Sequence, residues 1–350
     1  MKSSLRALLI IIAIIGILAS ACKPKAEPAK PDEDTETSTT DENGPIEEPA
    51  QENKFACSLT GLGVTDEAEI KYRPIAVMID NEISARPQSG LSEADIIYEM
   101  PVEGNITRYM AIYHHISSEK IGPVRSARPY FIDKALEYGS IYVHCGGSPQ
   151  ALSDIKTLKV DAYNDLVGTP VFWRSTDRKM PHNLYTNTRM MREVSLNKKL
   201  ENKTAPQYFN FNDDFVIPDG GNGQKIVINY DKRYKVSYIY NKEEKVYYRQ
   251  INGDNMKDKE SKKDIKATNI IVERAGVKVV DKVGRLEISN IGKNRGYLLT
   301  GGKLIEIEWN KSSRSGKTIY KNVKGEEILV NKGVTWIQVV PEYVKIEFGE

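Results

Sequence analysis

Residues 141–150 read IYVHCGGSPQ, with a histidine directly before a cysteine. A cysteine nucleophile needs a histidine close in space and surroundings that lower its pKa. Successive residues of a strand point to opposite faces, so His144 and Cys145 cannot serve each other. Cys145 reads instead as a small residue at the end of a buried strand. The glycines say more. A strand, then Gly146-Gly147, then a helix opening at Ser148-Pro149 aims backbone N–H groups at the strand's C-terminal edge. That geometry receives anions.

Arginine is the second signal, because its planar fork suits carboxylate and phosphate. Residues 72–192 hold 9 Arg and 5 Lys, whereas residues 193–350 hold 6 Arg and 23 Lys. Arg86, Arg108, Arg125, Arg128, Arg174 and Arg178 lie beside strand ends or turns. Asp80, Asn81, Asp95, Glu99 and Glu103 occupy comparable places, and His182 with Asn183 follow in the string MPHNLYT.

Two readings of these residues stand side by side. In one, arginines clamp Asp80, Glu99 and Glu103 in a structural ion-pair network. In the other they line an anion-binding cleft. There Arg125 and Arg128 hold the anion, Gly146, Gly147 and Ser148 donate from the backbone, and His182 with Asn183 completes the rim. Asp80, Asn81, Glu99 and Glu103 join the candidate ligand-binding set, as do Arg108, His144 and Arg174. A hydrolase or transferase would use Asp80, Glu99 or Glu103 as acid or base beside His144 or His182. No nucleophile–base–orienter set follows from spacing, so no catalytic residue is assigned. His114, His115, His144 and His182 form no spacing typical of zinc. The reading expects neither metal nor cofactor.

The elements that must position these groups begin at residue 55. Before them, Lys2 and Arg6 precede the apolar run ALLIIIAIIGILASAC, which is the length of a signal-peptide core. The run ends in Leu18-Ala19-Ser20-Ala21 before Cys22, similar to a bacterial lipobox whose cysteine is acylated. Residues 1–22 thus read as a lipoprotein signal peptide and Cys22 as the lipidation site. Residues 23–54 carry 10 acidic and 4 basic residues and almost nothing apolar. They read as a disordered acidic stalk. The folded part then lies on the extracytoplasmic face of a membrane, where nucleic acid is not a partner. Cys57 and Cys145 are the remaining thiols, and their pairing stays open.

Residues 55–205 mix periods. Short apolar runs at 73–80, 94–101, 106–115 and 140–145 read as strands, and 127–139, 148–158 and 186–200 as helices. Ser148 is placed to cap its helix, with Pro149 at the first position. Residues 206–350 are short alternating runs rich in Val, Ile and Tyr, with TGGK as a tight hairpin turn. The fold class is α+β: a mixed α/β N-terminal domain, then a mostly antiparallel β C-terminal domain.

The strings RPIAVMIDN, ARPQSGLSEADIIYEMPVEGNITRYMAIY, IGPVRSARPYF, YVHCGGSPQAL and PHNLYT, in that order, resemble the YerB-like bacterial lipoproteins. GYLLTGGKLIEIEWNKSS and ILVNKGVTWIQVVP are similar to that family's C-terminal domain. The resemblance implies a two-domain lipoprotein of mainly Gram-positive envelopes and brings no activity with it. It departs from the family at Cys145, where alanine is usual, and at Met256, where a histidine is usual. A binding or regulatory role on a cell-wall enzyme or an anionic wall polymer is one expectation. An envelope hydrolase or transferase is the other.

Overall fold

The computed structural model describes residues 55–201 and 205–349. The signal peptide, Cys22 and the acidic stalk lie outside the described residues. In the first half the main elements are β1 (Ile75–Ile79), β2 (Ile96–Val102), β3 (Ile106–Tyr113), α1 (Pro129–Glu137), β4 (Ile141–His144), α2 (Pro149–Thr157), β5 (Ala162–Asn164) and α3 (Thr188–Asn197). The second half adds β6 (Lys225–Asp231), β7 (Tyr234–Asn241), β8 (Val246–Ile251), β9 (Asn269–Ala275), β10 (Gly292–Thr300), β11 (Lys303–Lys311), β12 (Thr318–Asn322), β13 (Thr335–Pro341) and β14 (Lys345–Gly349). Strands dominate and helices are few. Among the described residues the N-terminal half is therefore a mixed sheet with these three helices and the single helical turn Ala68–Lys71, rather than a balanced α/β layer.

Local chemistry explains the elements. Ser148 takes extended φ/ψ, and its Oγ accepts from the Ala151 N–H, so α2 starts at Pro149 as the sequence predicts. Gly301 and Gly302 both hold positive φ in the turn between β10 and β11. Glycine takes that conformation without a steric penalty.

The second half does not stand apart from the first. One eleven-stranded sheet runs β11-β10-β9-β13-β2-β3-β1-β4-β5, with Gly221–Asn222 and β12 both pairing on β11. The seam is a parallel pairing of β13 with β2, Thr335 opposite Ile96. On its other side β13 runs parallel to β9. The reason is burial: every residue of β13 is buried. A strand covered on both faces needs a neighbour at each edge. Two sequence domains thus build one compact body among the described residues.

A smaller sheet, with β8-β7-β6-β14 as its main strands, covers one face of the large one. Val77 and Tyr109 share a core there with Val236, Tyr238 and Trp336. The alternate residues Ala76 and Met78 face the opposite core, with Phe131 and Ala135 of α1 and Ala151 of α2. The C-terminal ends of the parallel strands β1 and β4 lie side by side. The segment carrying Arg125 runs across those ends: its N–H donates to the Met78 carbonyl, and its carbonyl accepts from Cys145.

Candidate functional site

Asp80 follows β1 and is buried. Its Oδ2 accepts from His182 Nδ1 at 2.8 Å and lies 3.1 Å from Arg125 Nε. His182 reaches in from the loop before α3 and presents Nε2 to Glu82, 3.6 Å away at the rim. Glu103, on the β2–β3 turn, takes the Arg128 fork in two bonds of 2.7 and 2.8 Å. Burial raises the Glu103 carboxyl, but the Arg128 bonds, a bond to its own backbone N–H and the charges of Arg128 and Arg108 together leave it below its usual value.

Arg108, on β3, lies between these pairs and is 5% exposed. Among the described residues its guanidinium makes one hydrogen bond, from Nη1 to the Ser126 carbonyl at 2.7 Å, and no salt bridge. Its Nε is buried without a partner. Burial and then the adjacent Arg128 pull its pKa down to about 10, with Asp80 opposing and Arg125 adding to the pull. The edge therefore gathers three guanidiniums, of which Arg125 and Arg128 hold carboxylates and Arg108 holds none.

Other predicted residues go elsewhere. Glu99 is not in the cleft. Its Oε2 accepts from Arg249 Nη2 at 2.7 Å, and its Oε1 accepts from Thr107 and Tyr234, all between the two sheets. Asn81 is buried with this group and donates to Thr107 and Tyr234. Met256, at the position where the resemblance leads one to expect histidine, lies with its sulfur 2.9 Å from Arg249 Nη1. Met256 is thus a core residue of an otherwise exposed turn, and Glu99 belongs to a buried ion pair.

Two of the three backbone donors expected after β4 already have partners. Gly146 N–H bonds Asn164 Oδ1 at 2.9 Å, and Ser148 N–H bonds the Ala127 carbonyl at 3.3 Å. Gly147 lines up beside Ala127 in a parallel bridge. Gly146 is needed for its shape: φ is +63°, and a Cβ there would meet Leu166 at 2.9 Å. His144 is buried, with Nδ1 at 2.7 Å from the Gly146 carbonyl. Arg174 and Asn183 form a separate surface cluster, in which Arg174 bonds Asn183 Oδ1 and Asp165. Cys145 faces that same Asp165, and burial followed by this carboxylate pushes its thiol up. Cys57 and Cys145 are both free.

A cavity of about 460 Å³ takes in Arg128 and Ser148, where α1 and α2 begin, together with Arg285 and Arg314 of the second half. Its arginines are paired: Arg314 with Asp133 and Asp154, Arg285 with Asp281, Arg128 with Glu103. Sequence reasoning missed Glu82 at the rim and the Tyr234–Arg249 partners of Glu99. No local spacing marks contacts spanning 135 and 150 residues.

Residues 59–203 match the family described as "Protein of unknown function (DUF3048) N-terminal domain", and residues 226–337 match its C-terminal domain. The chain belongs to the DUF3048 family. A relative in Bacillus subtilis (strain 168), named "Putative lipoprotein YerB", is 34% identical over 298 residues, 84% of this chain and 88% of its own. The crystal structure of the YerB protein from Bacillus subtilis superposes with a TM-score of 0.75 at 31% identity, covering 84% of this chain and all of that one. The YerB-like resemblance is thereby borne out, and the DUF3048 fold is shared across both halves.

Proposed function

We propose that this DUF3048 chain is a lipoprotein held through Cys22 on the extracytoplasmic face of a bacterial membrane, where its Arg108–Arg125–Arg128 edge binds an anionic group of the cell envelope. The anchor reading draws on Lys2, Arg6 and the apolar run ending at Cys22, and on the name of the Bacillus relative. Among the described residues no helix is long and apolar enough to cross a membrane.

The binding reading rests on Arg108. A buried cation without a carboxylate partner is costly, and an incoming phosphate or carboxylate supplies the missing charge. Arg125, with 29% of its side chain exposed, gives that anion a second fork from the solvent side. The ligand is an anionic wall polymer or an acidic segment of a wall enzyme. Titrating the full-length chain in detergent with poly(glycerol phosphate) and with muropeptides tests this. Arg125→Ala weakens binding of one of them about tenfold or more while the unfolding midpoint holds. Unchanged affinity for both would remove the reading.

One observation favours a catalytic alternative. Buried Asp80 orients His182 through Nδ1 and leaves Nε2 to face the rim, as a general base requires. No serine, threonine or cysteine bonds that nitrogen among the described residues, so water would be the nucleophile. Turnover of a wall substrate that disappears in His182→Ala would establish this reading over binding alone.

A further inference from the structure

A second cluster of functional groups lies at the other end of β3. Tyr113 closes that strand, and His114 and His115 follow it. Asp95 stands just before β2 and is fully buried. Its Oδ2 accepts from the His114 backbone N–H, and its Oδ1 lies 2.5 Å from His115 Nδ1. Cys57 comes from a small hairpin in which Phe55–Ala56 pairs with Gly63–Val64. Its sulfur is buried, 3.4 Å from His114 Nδ1.

The tautomer of His114 follows from its other nitrogen. Nε2 lies 3.1 Å from the Ile70 carbonyl, which can only accept, so Nε2 carries the hydrogen. Nδ1 of the neutral ring is then a bare lone pair directed at the Cys57 sulfur. A histidine that donates to a carbonyl with one nitrogen and offers the other is the usual state of a metal ligand. The ligand atoms of Cys57, Asp95 and His115 all lie within 4.8 Å of one another.

We infer that Cys57, Asp95, His114 and His115 form a binding site for a thiophilic divalent cation, zinc above all. A thiolate, two imidazoles and a carboxylate match the zinc donor set, whereas calcium and magnesium avoid sulfur. Around zinc, bonds of about 2.0–2.3 Å place neighbouring ligands roughly 3.2–3.7 Å apart. The 3.4 Å between sulfur and His114 Nδ1 already has that value, whereas Asp95 Oδ1 and His115 Nδ1, 2.5 Å apart, separate by about 1 Å when the ion takes the place of the proton between them. Cys57, Asp95 and His115 already lie together, and His114 Nδ1, beside the sulfur but outside that group of three, moves in to complete four ligands, which makes the ion structural. It clips the Phe55–Val64 hairpin to the end of the large sheet, across 57 residues of chain. Sequence spacing does not show the site because its ligands come from three separate stretches.

The test uses the full-length chain in detergent with Cys22→Ser and Cys145→Ser, which leaves Cys57 as the one thiol. After chelation, cobalt is titrated back and followed by absorption, and zinc is then used to displace it. The expected result is one equivalent of cobalt with a thiolate charge-transfer band in the near ultraviolet and intense visible bands of tetrahedral coordination. Zinc displaces it stoichiometrically. Adding Cys57→Ser abolishes the charge-transfer band, and His115→Ala weakens zinc binding at least about tenfold. The inference is overturned if the Cys57-only chain shows no charge-transfer band, or if cobalt gives only weak octahedral bands. Should Cys57→Ser fail to fold, the spectrum of the Cys57-only chain decides alone.

Discussion

Arg249 and Arg108 are both buried arginines with tyrosines and acids nearby, yet they do opposite things. Arg249 lies between the two sheets, with its guanidinium carbon 4.6 Å from the Trp336 ring centroid and Glu99 bonded at 2.7 Å. The side chains of both Arg249 and Glu99 are at most 1% exposed. Arg108 lies at the C-terminal edge of β1 and β4 with a carbonyl as its hydrogen-bond partner. The first region is complete in itself, and the second has a charge left over. Residue type does not separate structure from function here. What separates them is whether the charge already has a buried counterpart.

The largest expected effect follows from the completed pair. Arg249→Ala leaves Glu99 buried and uncompensated, at a cost of about 3–5 kcal/mol. Replacing both, with Glu99→Gln and Arg249→Met, recovers most of it. Urea unfolding of the three proteins checks this. A loss under about 1 kcal/mol for Arg249→Ala would place Arg249 and Arg108 in the same class.

Next comes the incomplete edge. Arg108→Ala removes an unpaired cation, so folding stability falls by less than in Arg249→Ala, while anion binding drops about 10–100-fold, the size of a lost charge-assisted bond. Calorimetry and unfolding on one preparation separate the two quantities. A stability loss equal to that of Arg249→Ala, with binding intact, would collapse the contrast.

His144 gives a smaller and pH-dependent effect. Burial holds its pKa below the usual 6.5, with the Gly146 carbonyl pulling the other way. As pH falls below 6.5 the unfolded chain binds a proton at this residue that the folded chain does not. Stability then declines with falling pH until the lowered folded-state pKa is passed. His144→Gln loses about 1 kcal/mol at pH 7.5, and its deficit against the parent shrinks at pH 5.5. A deficit that grows instead would mean that His144 is charged in the folded protein.

The smallest effect belongs to the surface cluster. Arg174→Ala changes stability by no more than about 0.5 kcal/mol, because half-exposed ion pairs contribute little. It also leaves anion binding at Arg125 unchanged, since Arg174 contacts Asn183 and Asp165 rather than the Asp80 edge. Lost binding in this variant would join the two regions.

Much of the fold was legible because its signals are local. The run at 73–80 and the Ser148-Pro149 cap act through neighbouring residues, and both appear where the sequence places them. Part of the site was legible too: Asp80, Glu103, Arg108, Arg125, Arg128 and His182 do converge. Gly146 and Ser148 did not supply free donors, because Asn164 and Ala127 come from segments whose approach no local pattern encodes. Glu99 was misplaced for the same reason, since its partner is 150 residues away.

By itself the sequence determined the order of strands and helices, the caps, the arginine-rich half and the YerB-like family. Those rest on periodicity, on side chains bonding their own turn, and on strings of neighbouring residues. Tertiary structure alone decided that β13 joins β2 and fuses two sequence domains into one sheet. It also decided which arginines are neutralised and that Cys57 meets two histidines and Asp95. Pairing across a sheet and charge compensation in a core depend on distance in space, which a linear pattern does not carry.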